Sequence, residues 1–261
     1  MCTAILSIEP GAPVLLAGIR DEMADRAWQP PARHWADYPG LIGGLDLLAG
    51  GTWLALAPEA GRVACVLNGR GAMAPVQDRR SRGVLPLLAA VEGKLGRDGL
   101  TGFDPFLLIS AEPGKATLWS WDGERRTERE LTAGLHIVVN SGLASDLPAG
   151  GEADPRERAA RDHELARIAY FLPRLRAAAR PAPGPGGPLA QAWGSWLPLM
   201  NGGGLDPADP RGLIVRRDLG DGRIWGTTSV SLVALSSGGP RYDFNGQPGD
   251  PAAWYPVSLG L

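Results

Sequence analysis

The chain has 261 residues, of which 44% are hydrophobic and 21% charged, with a net charge of −2 and a pI near 6.0. That length and apolar content can bury one sizeable core, while the near-neutral balance excludes the basic field that nucleic acid or anionic lipid would require. Two cysteines, Cys2 and Cys65, and three scattered histidines make neither a disulfide framework nor a zinc-ligand cluster, so no metal is expected.

The first elements read as β-hairpins. "TAILSI" at 3–8 and "PVLLAGI" at 13–19 are apolar runs split by the turn signal "EPGA". "TWLALA" at 52–57 and "RVACVLN" at 62–68 flank "PEAG" in the same way, and "FLLISA" and "ATLWSW" flank "EPGK". Between these pairs, "SRGVLPLLAAVEGKLG" at 81–96 sets Leu85, Leu88, Val91 and Leu95 at helical spacing, with Pro86 in the first turn. "LHIVVN" at 135–140 is a further strand.

The segment 154–180 predicts the longest helix. Asp154 can cap it, Pro155 suits the first helical position, and Leu165, Ile168 and Leu172 share a face. "PAPGPGG" at 181–187 ends it, and a shorter helix from about Pro188 to Met200 carries Trp193, Trp196 and Leu199. "GLIVRRD", "RIWGTTSVSLVAL" and "PRYDFNG" then return to strands. Strand pairs, then helices, then strands, without βα alternation, predict an α+β fold of antiparallel sheets covered by helices. The expected organisation is a single domain, 1–261, with a helical insertion at about 154–200. No positive n-region opens the chain and no run of about 18 apolar residues occurs, so a soluble cytoplasmic protein without stable membrane insertion is expected.

The opening "MCTAILSI" is the first chemical signal. Removal of Met1 would leave Cys2 with a thiol and a free α-amine on one residue, a nucleophile and a base together. Strand alternation puts Cys2, Ala4, Leu6 and Ile8 on one face, and on the return strand Ile19 and Asp21 share a face while Arg20 takes the other. The hairpin can bring Asp21 back to the amine, although "RDE" also suits an ordinary polar turn. Asn68 and Asn140 end strands, from which a side-chain amide can be delivered to a developing oxyanion; each also suits a turn. Cys65 sits among apolar neighbours and reads as core.

"MCTAIL", "GIRDEM", "GGLDLLAGGTWLALAPEAGRVACVLN", "SRG" and "HIVVNSGL" resemble, in order and spacing, the NRDE family, also called the Transport and Golgi organization protein 2 family. The likeness runs from Met1 to about Leu143 and more weakly through "WGTTSVSLVAL". That family is similar to the N-terminal nucleophile hydrolases, especially the cholylglycine and penicillin V acylase branch. The resemblance implies a four-layer αββα sandwich with Cys2 as nucleophile, Asp21 as the carboxylate that orients the amine and Asn140 as the oxyanion or positioning asparagine. Asn68 and Arg20 match further family positions. Ile19 stands where the Asn-Arg-Asp-Glu motif has asparagine, Thr228 where many relatives have arginine, and Gly18 where the acylase branch has another.

Two functional readings follow. In one, Cys2 hydrolyses a linear amide and needs no cofactor. In the other, the same cleft binds and passes on haem or another hydrophobic ligand without turnover, as the family resemblance also implies. Nine tryptophans, the Trp-rich helix and His34 in "ARHWAD" suit that second ligand, although loop packing for His34 and Trp35 and core or interface packing for Trp193 and Trp196 is the simpler account.

Overall fold

The first hairpin decides how the layers stack. In the computed structural model, which describes residues 2–96, 98–147 and 155–260, β1 (Thr3–Ile8) and β2 (Val14–Met23) pair antiparallel with Thr3 opposite Ile19. Every residue of β1 is buried, as befits a short apolar run covered from two sides. From β2 the chain crosses into a second sheet, a meander in sequence order. Its strands are β3 (Trp28–Ala32), β4 (Ile42–Asp46), β5 (Leu54–Ala57), β6 (Arg62–Asn68), β7 (Phe106–Glu112), β8 (Lys115–Trp121) and β9 (Arg126–Leu131).

The chain then returns to the first sheet. There β10 (Gly134–Val139) pairs with β1, and β11 (Gly142–Leu143) extends that edge. On the other side β12 (Arg216–Asp218), β13 (Ile224–Ser236), β14 (Gly239–Asn245) and β15 (Trp254–Pro256) follow, with β13 against β2. Among the described residues, four α-helices accompany the sheets: α1 (Leu85–Glu92), α2 (Pro155–Ala177), α3 (Leu189–Trp193) and α4 (Trp196–Met200).

Three apolar cores separate four layers. Ala4, Leu6, Val14 and Leu16 meet Leu54, Leu56, Cys65 and Ile109 between the two sheets. Ile5, Leu15, Ala17 and Ile19 meet Phe171, Leu175, Trp193 and Trp196 on the outer face of the first sheet. Ala64, Leu108 and Trp119 meet Leu85, Leu87 and Ala90 of α1 on the outer face of the second. The result is an α+β sandwich of two antiparallel sheets with helices outside both. Among the described residues, no helix is long and apolar enough to cross a membrane.

Local departures from the sequence reading have local causes. The helix expected over 81–96 begins as a 3₁₀ turn at Arg82–Val84 and stops at Glu92, because Gly93 takes a left-handed φ of 68°. The Pro188–Met200 helix is two helices, broken at Gly194 with φ 48°. The strand at Arg126–Leu131 has no apolar alternation because it is an edge strand with mostly exposed side chains. The cap expected at Asp154 lies outside the described residues.

One substitution reports on the layering directly. Ile19 is 2% exposed and packs in the core beneath the helices, on the sheet face away from Cys2. Restoring the motif's asparagine by Ile19→Asn is therefore expected to cost about 2 to 4 kcal/mol in urea unfolding, through a lost apolar side chain and a buried amide. A cost below about 1 kcal/mol would contradict this placement.

Candidate functional site

Cys2 is half-buried at the start of β1 and borders a cleft of ≈ 490 Å³. The wall is formed by β2, the ends of β4 and β6, the β4–β5 connection and the segment before α1, which contribute Arg20, Asp21, Glu22, Asp46, Trp53, Asn68 and Arg82. The cleft thus opens where the strand ends of the two sheets meet.

The main-chain nitrogen of Cys2 donates to Asn140 Oδ1 at 2.8 Å, while Asn140 Nδ2 donates to the Asn68 carbonyl at 2.7 Å. Asn140 therefore ties the first sheet to the second across the nucleophile. Both ends of its amide are engaged, which makes it a positioning residue. Asn68 is exposed and lines the cleft, so a side-chain amide is available on that wall.

Strand alternation separates Arg20 from Asp21. Thr3 lies opposite Ile19, so Arg20 shares the Cys2 face and Asp21 points to the other. The Asp21 main-chain oxygen receives the Cys2 thiol at a Sγ···O distance of 3.8 Å. Its carboxylate instead accepts from Thr227 Oγ1 at 2.7 Å and Arg167 Nη1 at 3.3 Å. The residue that holds the Cys2 nitrogen is Asn140, in the place that the family resemblance gave to the Asp21 carboxylate. Arg167 also donates to Thr3 Oγ1 at 2.6 Å and the Gly212 carbonyl at 2.8 Å. The start of β1 and the end of β2 are thereby pinned to α2.

Arg20 is 5% exposed. It donates to Thr228 Oγ1 at 2.9 Å and Asp46 Oδ2 at 3.2 Å, and its guanidinium lies 4.6 Å from the Trp53 ring centroid. Asp46 is also bound by Arg26, at 2.6 and 3.1 Å. Burial works against its charge, yet the Arg26 hydrogen bond and neighbouring donors hold its pKa below the ordinary value. Thr228, where relatives carry arginine, sits at the irregularity in the β13–β2 register and orients Arg20.

Burial pushes the Cys2 thiol above its ordinary value, so an adjacent base is needed for attack near neutral pH. Cys65, 4% exposed, is pushed up to about 12 by burial and then by Cys2. At pH 8 iodoacetamide is therefore expected to label Cys2 about 100-fold faster than Cys65 in the folded protein. Because a raised pKa favours the thiol, Cys65 should gain reactivity only as pH climbs toward 12. Peptide mapping of labelled protein checks both, and equal rates at pH 8 would mean that neither thiol faces the cleft.

The residues read for a haem or other apolar ligand lie elsewhere. His34 Nε2 is 2.8 Å from the Pro30 carbonyl, its ring stands edge-on to Trp35, and it does not border the Cys2 cleft. It does not fit an axial ligand of that cleft. Trp193 and Trp196 are core residues beneath the first sheet.

Sequence reasoning did not reach Asp46, Trp53, Arg82, Arg167 or Thr227. Arg167 had a signal: Glu164, Ile168, Phe171 and Leu175 recur at helical spacing with Arg167 on the same stripe, and the two charged positions are 0% and 2% exposed. "DRRSRG" at 78–83 carried another, three arginines within four residues just ahead of the apolar run of α1.

The family model described as Transport and Golgi organisation 2 matches residues 1–156, and no curated protein matches the chain. The matched part holds Cys2, Arg20, Asp21, Asn68 and Asn140; Arg167, Thr227 and Thr228 come from the remainder.

Proposed function

The chain belongs to the Transport and Golgi organisation 2 family, and from this premise we propose that it is a cysteine amidohydrolase of the N-terminal nucleophile type, acting on a linear amide through Cys2 after removal of Met1. The observation that carries the reading is the Cys2 nitrogen held at 2.8 Å by Asn140 on the edge of a polar cleft. The bond comes from a side chain rather than from a neighbouring strand, and it fixes the nitrogen that becomes the base beside its own thiol.

The chemistry follows from the groups present. Freed of Met1, the Cys2 α-amine, with an ordinary pKa of roughly 7.7–8.0, takes the thiol proton. Sulfur bonds to the amide carbon, and negative charge develops on the carbonyl oxygen, for which the Asn68 amide is the neutral donor on the wall. The C–N bond breaks, the leaving amine takes the proton held by the Cys2 amine, and a thioester remains. Water then attacks the thioester with the same amine as base, releasing the carboxylic acid and restoring the thiol.

Intact mass and acyl trapping test this together. Protein expressed from the full sequence should lack Met1, and acid-quenched reaction with p-nitrophenyl octanoate should leave an octanoyl mass on the Cys2 peptide. Retention of Met1, or saturable haem binding in the absence of any Cys2 adduct, would overturn the hydrolase reading in favour of ligand handling.

A further inference from the structure

The cleft carries more cations than its carboxylates balance. Of its arginines, Arg20 and Arg26 share Asp46, with Glu22 3.8 Å from each, and Arg79 lies 3.1 Å from Asp104. The Asp21 carboxylate is taken by Arg167. Arg80 and Arg82 are left, and among the described residues neither has a carboxylate within ion-pair distance. Arg80 also lines the cleft, but it is exposed to water and its guanidinium lies against Phe103, 4.6 Å from the ring centroid.

Arg82 differs. It is half-buried on the cleft wall and donates Nη1 to the Pro105 carbonyl at 2.9 Å. That bond fixes the side chain but supplies no opposite charge. A cation held partly out of water without a counter-ion is costly, and a bound anion offsets the cost through charge-assisted hydrogen bonds.

We propose that the cleft recognises substrates through an anionic group, carboxylate or phosphate, and that Arg82 is the side chain that receives it. The inference deepens the amidohydrolase reading and rests on it. Substrates are then amides that carry a negative charge within reach of the scissile bond, and neutral amides of equal length are poor ligands. Arg20 is less suited to this role, because Asp46 neutralises its charge, Thr228 accepts from it and the Trp53 ring lies against its face.

Binding is measured by titration calorimetry on the Cys2→Ala protein, so that affinity is read without turnover. The probes are N-octanoyl-glycine, N-octanoyl-phosphoethanolamine and neutral N-octanoyl-glycinamide. At least one anionic probe is expected to bind about tenfold or more tightly than the neutral one, and whichever does so identifies carboxylate or phosphate. Arg82→Gln should erase the preference and leave the neutral probe unchanged. Arg80→Gln should keep it, and Arg82→Lys should keep the charge but lose the planar fork, weakening anionic binding about threefold or more. If Arg82→Gln fails to fold, the Lys and Arg80 variants decide. Equal affinity for all three probes, no saturable binding of any, or a preference that survives at Arg82 and vanishes with Arg80→Gln overturns the proposal. An intact anion preference in a protein whose wild type forms no Cys2 adduct would strike the hydrolase reading alone.

Discussion

Cys2→Ala is expected to lower hydrolysis of p-nitrophenyl octanoate, and of any amide substrate, on the order of 10⁴-fold or more, because the nucleophilic sulfur is lost while the α-amine base stays. Stability should change by no more than about 1 kcal/mol, since Cys2 is half-buried and begins the strand rather than filling its centre. A second variant separates thiol from amine. Inserting glutamate between Met1 and Cys2 blocks methionine removal and leaves the thiol in place, and it should be as inactive as Cys2→Ala. Activity of that insertion variant within about tenfold of the wild type would show that the α-amine is not the base.

Arg167→Met is expected to destabilise the protein by about 3 to 5 kcal/mol in urea unfolding. The reason lies in Asp21, whose side chain is 0% exposed and whose counter-ion is Arg167, itself 2% exposed. Removing the cation leaves a buried carboxylate whose remaining side-chain donor is the Thr227 hydroxyl. Adding Asp21→Asn to Arg167→Met removes that charge and should recover at least about half of the loss, a coupling that a double-mutant cycle measures directly. If the double variant is less stable than Arg167→Met alone, the ion pair is not what holds β2 to α2. Acyl transfer by the Arg167 variant is expected to fall as well, since Thr3 and Asp21 flank Cys2 and its thiol contact.

The sequence by itself determined the hairpins, the placing of the long helix and the chemical importance of position 2. Each depends on local signals: apolar runs bounded by Pro and Gly, a proline at a helix start, and a thiol next to a removable methionine. Arg20, Asn68, Asn140 and Cys2 were legible as residues, because a motif and a strand end are local too. Their partners were not. That Asn140 holds the Cys2 nitrogen depends on β10 pairing with β1, 138 residues away along the chain, and its bond to Asn68 depends on β10 and β6 meeting across the sandwich. That Asp21 faces away from Cys2, and Ile19 with it, follows from the β1–β2 register, since a shift of one residue reverses every side chain's face. Arg167 and Thr227 reach Asp21 from 146 and 206 residues away, and only the docking of α2 and β13 on the first sheet brings them there. Tertiary structure decided the charge balance of the cleft for the same reason: "DRRSRG" shows that the arginines exist, but which of them has a carboxylate partner depends on distances that no local spacing encodes.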